Sequence, residues 1–352
     1  MRFPNRLRAL ILLAVVLDLR GLSWLARALT REPRVEQTEI DGVPVEVVRP
    51  GGPGPWPAWL FVNGAHPERR AEPVVTRLSR GLARAGYIVF VPDVPGLGEG
   101  TITSRTLEST FAVADAAAAS PEVLGRRVAL IGASTGAGLA LVTAARPDAA
   151  RIVSVLAAVA PFADLERMVC LATTRAYSEN GRFESYEVTA LHRTVVARSL
   201  LAAIPHAAER ERLLASVAEA EREGRDPIEL LPQDVESAEA RAIVGVLANE
   251  QPERFAELYG ALPRPLLELL TRLSPVGVGA NIVAPVELVV PPSDVYFPMG
   301  EAQALANALP NVQLTVTATL DHTRPRLSLA HFRSLVRFER FVMRGIRMSS
   351  RS

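Results

Sequence analysis

The chain has 352 residues, 49% of them hydrophobic and 22% charged, enough apolar material to bury a large core and too little charge for a disordered chain. Its 39 basic and 38 acidic residues leave a formal charge of +1, without the concentrated basic face that nucleic acid demands. Every basic residue is arginine, so a catalytic lysine is excluded, and the lone Cys170 excludes an intrachain disulfide or a C-x-x-C site.

Along residues 1–34, Arg2, Arg6 and Arg8 precede an apolar run over 9–17 that Asp18 and Arg20 interrupt. Nine apolar residues are too few for a bilayer, which takes roughly 20. Leu19, Leu22, Trp24, Leu25 and Leu29 continue between arginines, the pattern of an amphipathic helix packed on the protein or lying on a membrane surface. A signal peptide, with "ARA" at 26–28 as its small-residue site, and an anchor are the alternatives. Either a cytoplasmic or a peripherally membrane-associated protein fits. Deleting residues 1–30 is expected to leave the rest soluble and active.

The alternating stretch 35–52 turns at Asp41-Gly42, a favoured hairpin dipeptide. Then come a buried strand (57–64), a helix (73–86) stopped by Gly86, a strand ("YIVFVPD"), a helix ("TLESTFAVADAAAA") and a strand ("RRVALIG"). A helix over 135–145 and the strand "RIVSVLAAVAP" follow. Alternation with short links predicts a mainly parallel sheet with helices on both faces. From 166 to 272 the rhythm is helical, with no convincing strand run. Strands return at 284–290 and 312–318 around the helix "GEAQALANAL", and an amphipathic helix closes the chain. The expected division is an N-terminal helix (1–34), an α/β core (35–165 and 273–352) and an all-helical insertion (166–272).

"LIGASTGAGLALV", at 130–142, supports two chemistries. Gly132-x-x-x-Gly136-x-Gly138 is the glycine pattern of a short-chain dehydrogenase, but two strand–helix units precede it and no lysine completes the Tyr-x-x-x-Lys pair. Gly132-Ala133-Ser134-Thr135-Gly136 is G-x-S-x-G, with a strand before it and a helix after it, the setting of a nucleophile elbow. "HPE" at 66–68 has the zinc deaminase H-x-E but lacks the cysteines.

With that elbow the chain resembles an α/β-hydrolase over about 36–165 and 273–352, with the insertion as a helical lid. The resemblance implies a triad in the order Ser134, Asp294 (in "PVELVVPPSDVYFP") and His322 (in "TVTATLDHTRP"). It implies an oxyanion hole from the N–H groups of Ala65 and Thr135, with Asn63 where the family commonly has histidine. "VPDVPGLGEG" resembles the family's Asp-x-x-Gly-x-Gly turn. Asp164 and Asp321 are rivals for the acid, Asp93 reads as bracing a turn, and His192, His206 and His331 read as ordinary surface or core residues. The function implied is ester hydrolysis through an acyl-enzyme, without cofactor or metal. An acyltransferase or thioesterase would use the same triad, and a non-catalytic binding protein would need the fold alone. The expected partners are a small-molecule acyl ester and, through the N-terminal helix, a membrane surface.

Overall fold

The computed structural model describes residues 4–17, 20–179, 181–326 and 332–350; Arg2, Asp18, Leu19 and His331 lie outside them. The N-terminal segment forms two helices, α1 (Asn5–Val16) and α2 (Arg20–Leu29), rather than one. The α1 helix is not a removable appendage. Ile11, Leu12, Leu13 and Val15 are buried with Leu82, Trp59, Phe338 and Phe341 in one apolar cluster. On the outside, Leu10, Trp24 and Leu29 are 60–69% exposed. Among the described residues no helix is long and apolar enough to cross a membrane.

Strands β1 (Arg34–Ile40) and β2 (Val43–Arg49) form a hairpin in which Ile40 faces Val43. Asp41 and Gly42 between them both have positive φ, 51° and 72°, as a two-residue primed turn requires. Then come β3 (Trp56–Val62), α3 (Pro73–Arg84), β4 (Ile88–Pro92), α4 (Ser104–Ala119), β5 (Val123–Ala133), α5 (Thr135–Ala144), α6 (Ala149–Ile152) and β6 (Val153–Val159).

The insertion opens with α7 (Leu165–Thr174) and a short hairpin, β7 (Ala176–Glu179) with β8 (Arg182–Ser185). It continues through α8 (Ala190–Leu201), α9 (Ala207–Arg222), α10 (Ala238–Leu247), α11 (Pro252–Gly260) and α12 (Arg264–Arg272). The expectation of an all-helical insertion is therefore corrected. The signal was the Asn180-Gly181 dipeptide between "AYSE" and "RFES", the same hairpin chemistry as Asp41-Gly42; Gly181 has φ 78°. Strands of four residues are too short to show a period against the surrounding helices.

After α13 (Pro275–Val278) the core resumes with β9 (Val286–Val290), α14 (Met299–Ala308) and β10 (Val312–Val316). The two-residue strands β11 (Leu320–Asp321) and β12 (Arg324–Pro325) and the helix α15 (Phe332–Ser349) complete the fold.

Eight strands make one sheet in the order β1-β2-β4-β3-β5-β6-β9-β10. Its β4-to-β10 part is parallel, and β2 runs antiparallel to both its neighbours. The alternation of each central strand fills two cores, as a sheet covered on both faces requires. Ala58, Leu60 and Val62 of β3 face α4 and α5, whereas Trp59 and Phe61 face α1, α3 and α15. The insertion buries its own core, including Val169, Leu200, Leu213, Leu247, Phe255 and Leu270. Its two ends meet at Ser274, whose hydroxyl accepts from Leu165 N–H (2.9 Å) and donates to the Leu270 carbonyl (2.9 Å).

Candidate active site

The carboxyl ends of β5, β9 and β10 lead towards one place, as ligand sites in open α/β sheets do. Ser134 is the single residue between β5 and α5, with φ 53° and ψ −125°. A serine with positive φ is held in a sparsely populated conformation that costs about 1–3 kcal/mol, so its surroundings must impose it. Ser134 N–H donates to the Val159 carbonyl (2.8 Å), and its carbonyl accepts from Ala137 N–H (2.9 Å). The flanking glycines make the turn sterically possible. A Cβ at Gly132 would lie 2.5 Å from the Ala137 Cα, and one at Gly136 would collide with the Val62 and Asn63 carbonyl oxygens at the end of β3.

Asp294 follows β9. Its Oδ1 accepts from Tyr296 N–H (2.8 Å) and Phe297 N–H (3.5 Å), and its Oδ2 lies 2.8 Å from Nδ1 of His322. Both side chains of the pair are largely buried, at 6% and 13% exposure. His322 and Thr323 form the two-residue turn between β11 and β12, which explains the φ of 52° at His322. The Tyr296 ring lies 4.4 Å from the imidazole, and the Phe297 ring meets it edge-on at 5.6 Å. From the insertion, the Tyr186 hydroxyl donates to the Asp294 carbonyl. Burial, then the nearby Asp294 charge, pushes the Tyr186 hydroxyl up to about 12, so it stays a donor at neutral pH.

Ala65 lies in the turn after β3. Asn63 orders that turn, its Oδ1 accepting from Gly64 N–H (2.8 Å) and its Nδ2 donating to the Arg69 carbonyl (2.7 Å). The Gly64 N–H is thereby occupied. Thr135 is the first residue of α5, where backbone N–H groups have no acceptor within the helix. Ser134, His322, Ala65 and Thr135 all line one cavity of about 400 Å³. Its far wall comes from the insertion, chiefly α8 and α12, through Leu191, Val195, Leu200, Leu266 and Leu270.

The rival acids are engaged elsewhere. Asp164 caps α7, accepting from Glu166 N–H at 2.9 Å, and Asp321 pairs with Arg326 at 3.2 Å on a half-exposed side chain. Asp93 pairs with Arg70 at 2.9 Å across two turns. His206 caps α9 through Nδ1 (3.4 Å to Glu209 N–H). His192 is the buried one of the two: it lines the cavity and meets Phe297 edge-on at 6.0 Å. Tyr186, Tyr296, Phe297 and His192 are the site residues that the sequence reading did not single out. The aromatics of "DVYFP", two and three positions past Asp294, were the available signal. Among the described residues no group of three His, Cys, Asp or Glu side chains is placed to hold a metal ion.

Many solved structures share the fold. The 2,6-dihydroxy-pseudo-oxynicotine hydrolase matches 89% of this chain and 68% of its own at 17% identity and a TM-score of 0.53. Porphyromonas gingivalis dipeptidyl peptidase 4 matches 93% of this chain at 14% identity and a TM-score of 0.52, and this chain spans 37% of that one. No curated protein matches the chain. The architecture is the α/β-hydrolase fold, as the elbow suggested. Within it, the family model of the X-Pro dipeptidyl-peptidase (S15 family) matches residues 41–241, a span that includes Ser134 and ends before Asp294 and His322. Because that span exceeds half of the chain, the protein belongs to the S15 family of serine hydrolases.

Proposed function

We propose that the protein cleaves a carboxylic ester through an acyl-enzyme formed on Ser134. The observation that carries this reading is the Asp294–His322 pair at 2.8 Å on the same cavity as a serine held at a positive φ. A serine hydroxyl is a poor nucleophile until a base removes its proton. In this reading His322 takes that proton and returns it to the leaving alcohol, and Asp294 fixes the tautomer and stabilises the imidazolium. The Thr135 and Ala65 N–H groups hold the tetrahedral oxyanion, a contribution of roughly 3–4 kcal/mol per donor in comparable sites. Water then attacks the acyl-enzyme by the same route in reverse.

An ester is favoured over a peptide by the cavity wall, which is built largely of aliphatic and aromatic side chains. The family match supports a second reading, release of an X-Pro dipeptide. That substrate brings a cationic amine, and Glu72 and Asp321 are carboxylates on the cavity. Hydrolysis of p-nitrophenyl esters against X-Pro p-nitroanilides separates the two. Labelling by a fluorophosphonate probe, lost in Ser134→Ala, tests the nucleophile; labelling at full rate in that variant removes the assignment.

A further inference from the structure

We propose that a second apolar chamber beside the catalytic cavity receives the hydrocarbon tail of the substrate's acyl group, an inference that rests on the ester reading above. The chamber, about 90 Å³, lies between the sheet and the helices α1, α3 and α15. Leu12, Leu13, Trp59, Phe338, Phe341 and Gly345 form its body. It adjoins the catalytic cavity directly, because Val74, Leu78, Ile131, Val159 and Thr323 line both spaces. Thr323 is the neighbour of His322 in the β11–β12 turn, so the shared wall begins beside the imidazole.

The chemistry of the chamber selects its occupant. A trapped water needs two to four polar partners, and this wall is carbon apart from the Thr323 hydroxyl and the Trp59 indole N–H. That N–H is buried and without a hydrogen-bond partner among the described residues. A space of this kind stays dry and gains by holding hydrocarbon. An acyl group is the part of an ester that suits it. The alcohol must leave after the first step, whereas the acyl chain stays bonded to Ser134 until water arrives, so a dry pocket for the tail does not impede turnover. The substrate class is then esters of medium to long aliphatic acids, and the roof helix α1 becomes part of the specificity of the site.

Gly345→Leu tests this. A Cβ at Gly345 meets only the rim of the Trp59 ring, at 3.6 Å, so α15 accepts a side chain there and its further carbons enter the chamber. Each buried methylene contributes roughly a factor of four. The ratio of kcat/KM for p-nitrophenyl dodecanoate over that for p-nitrophenyl butyrate should therefore fall tenfold or more. An unchanged ratio in folded Gly345→Leu, or in Val342→Phe should the first variant not fold, overturns the chamber while leaving the ester reading intact. Calorimetric titration of sodium dodecanoate separates the two ideas from the other side. Binding to Ser134→Ala that the added Gly345→Leu abolishes supports the chamber even if no ester is hydrolysed. Equal binding to both proteins counts against it.

Discussion

His192 is the group whose titration should dominate the acid limb of the stability curve. It lies on α8, buried, with its Nδ1 lacking a hydrogen-bond partner among the described residues. Burial pushes its pKa down to about 4 from 6.5; the positive charge of Arg193 and the presence of His322 act in the same direction, against a hydrogen bond to the Met168 backbone. Below pH 6.5 the unfolded chain takes up a proton that the folded chain refuses until about pH 4. In that window the unfolded state binds more protons, so stability falls as the pH drops and is fully present above 6.5. At 1.36 kcal/mol per pH unit the loss reaches roughly 3 kcal/mol at pH 4, a large share of a typical total of about 5–15 kcal/mol. Urea unfolding of wild type and His192→Leu at pH 7 and pH 4.5 measures it. The wild type should lose about 2–3 kcal/mol more than the variant between the two conditions. Equal losses in both proteins would mean that His192 already carries its proton inside the fold, and the burial argument would be refuted.

Asp294→Asn should stay folded and lower kcat by roughly 10⁴, because the amide favours the wrong imidazole tautomer, whereas Asp164→Asn and Asp321→Asn should cost far less; steady-state kinetics on an active ester decides between them. Gly136→Ala places a methyl group against two backbone carbonyls and should cost several kcal/mol or prevent folding, while Gly245→Ala on α10, with open space around it, should raise the melting temperature slightly. Deleting residues 1–17 removes the buried Ile11, Leu12, Leu13 and Val15, at roughly 1.5–3 kcal/mol each, and should leave a protein that fails to unfold cooperatively by calorimetry. Tyr186→Phe removes one hydrogen bond to the Asp294 loop and should lower kcat more than it raises KM, with circular dichroism unchanged.

The legible parts of this fold are those encoded locally. Strand–helix alternation, Asp41-Gly42 and Gly86 punctuate the core in the sequence itself, and the G-x-S-x-G elbow needs only residues within about ten positions of Ser134. Asp294 and His322 could be singled out only through the order that the resemblance supplied, because their meeting depends on the pairing of β9 with β10. The N-terminal segment was the least legible. A run of nine apolar residues between arginines has the same composition whether it covers a protein core or a bilayer surface, and only the facing residues of α3 and α15 distinguish the two. His192 was hidden for a similar reason. Its helix has no marked apolar face, being enclosed by the insertion on one side and the cavity on the other, so periodicity gave no sign that the imidazole points inward.

The insertion is tied to the site by buried polar contacts as well as by covering it. Glu301 of α14, fully buried, accepts from Ala163 N–H (2.7 Å) and Asp164 N–H (3.0 Å) at the start of the insertion and from the Tyr177 hydroxyl (3.0 Å) on β7. Arg167 of α7 lies 2.8 Å from the same carboxyl group. Burial raises the Glu301 pKa, and these partners oppose the rise, so their loss would leave an uncompensated carboxyl group in the interior. Tyr177 and Tyr186, at the two ends of the short hairpin, thus hold both α14 and the loop of Asp294. Lifting the hairpin would break those contacts and disturb the loop whose Asp294 is hydrogen-bonded to His322. A motion that leaves these contacts in place belongs to the part of the insertion beyond α8. The contacts of α12 with the cavity, through Leu266, Leu269 and Leu270, are carbon on carbon, whereas α8 is tied to the core by the Ser199 hydroxyl, which accepts from Ile102 N–H (2.9 Å), and by Arg198, which donates to the Glu99 carbonyl (2.7 Å).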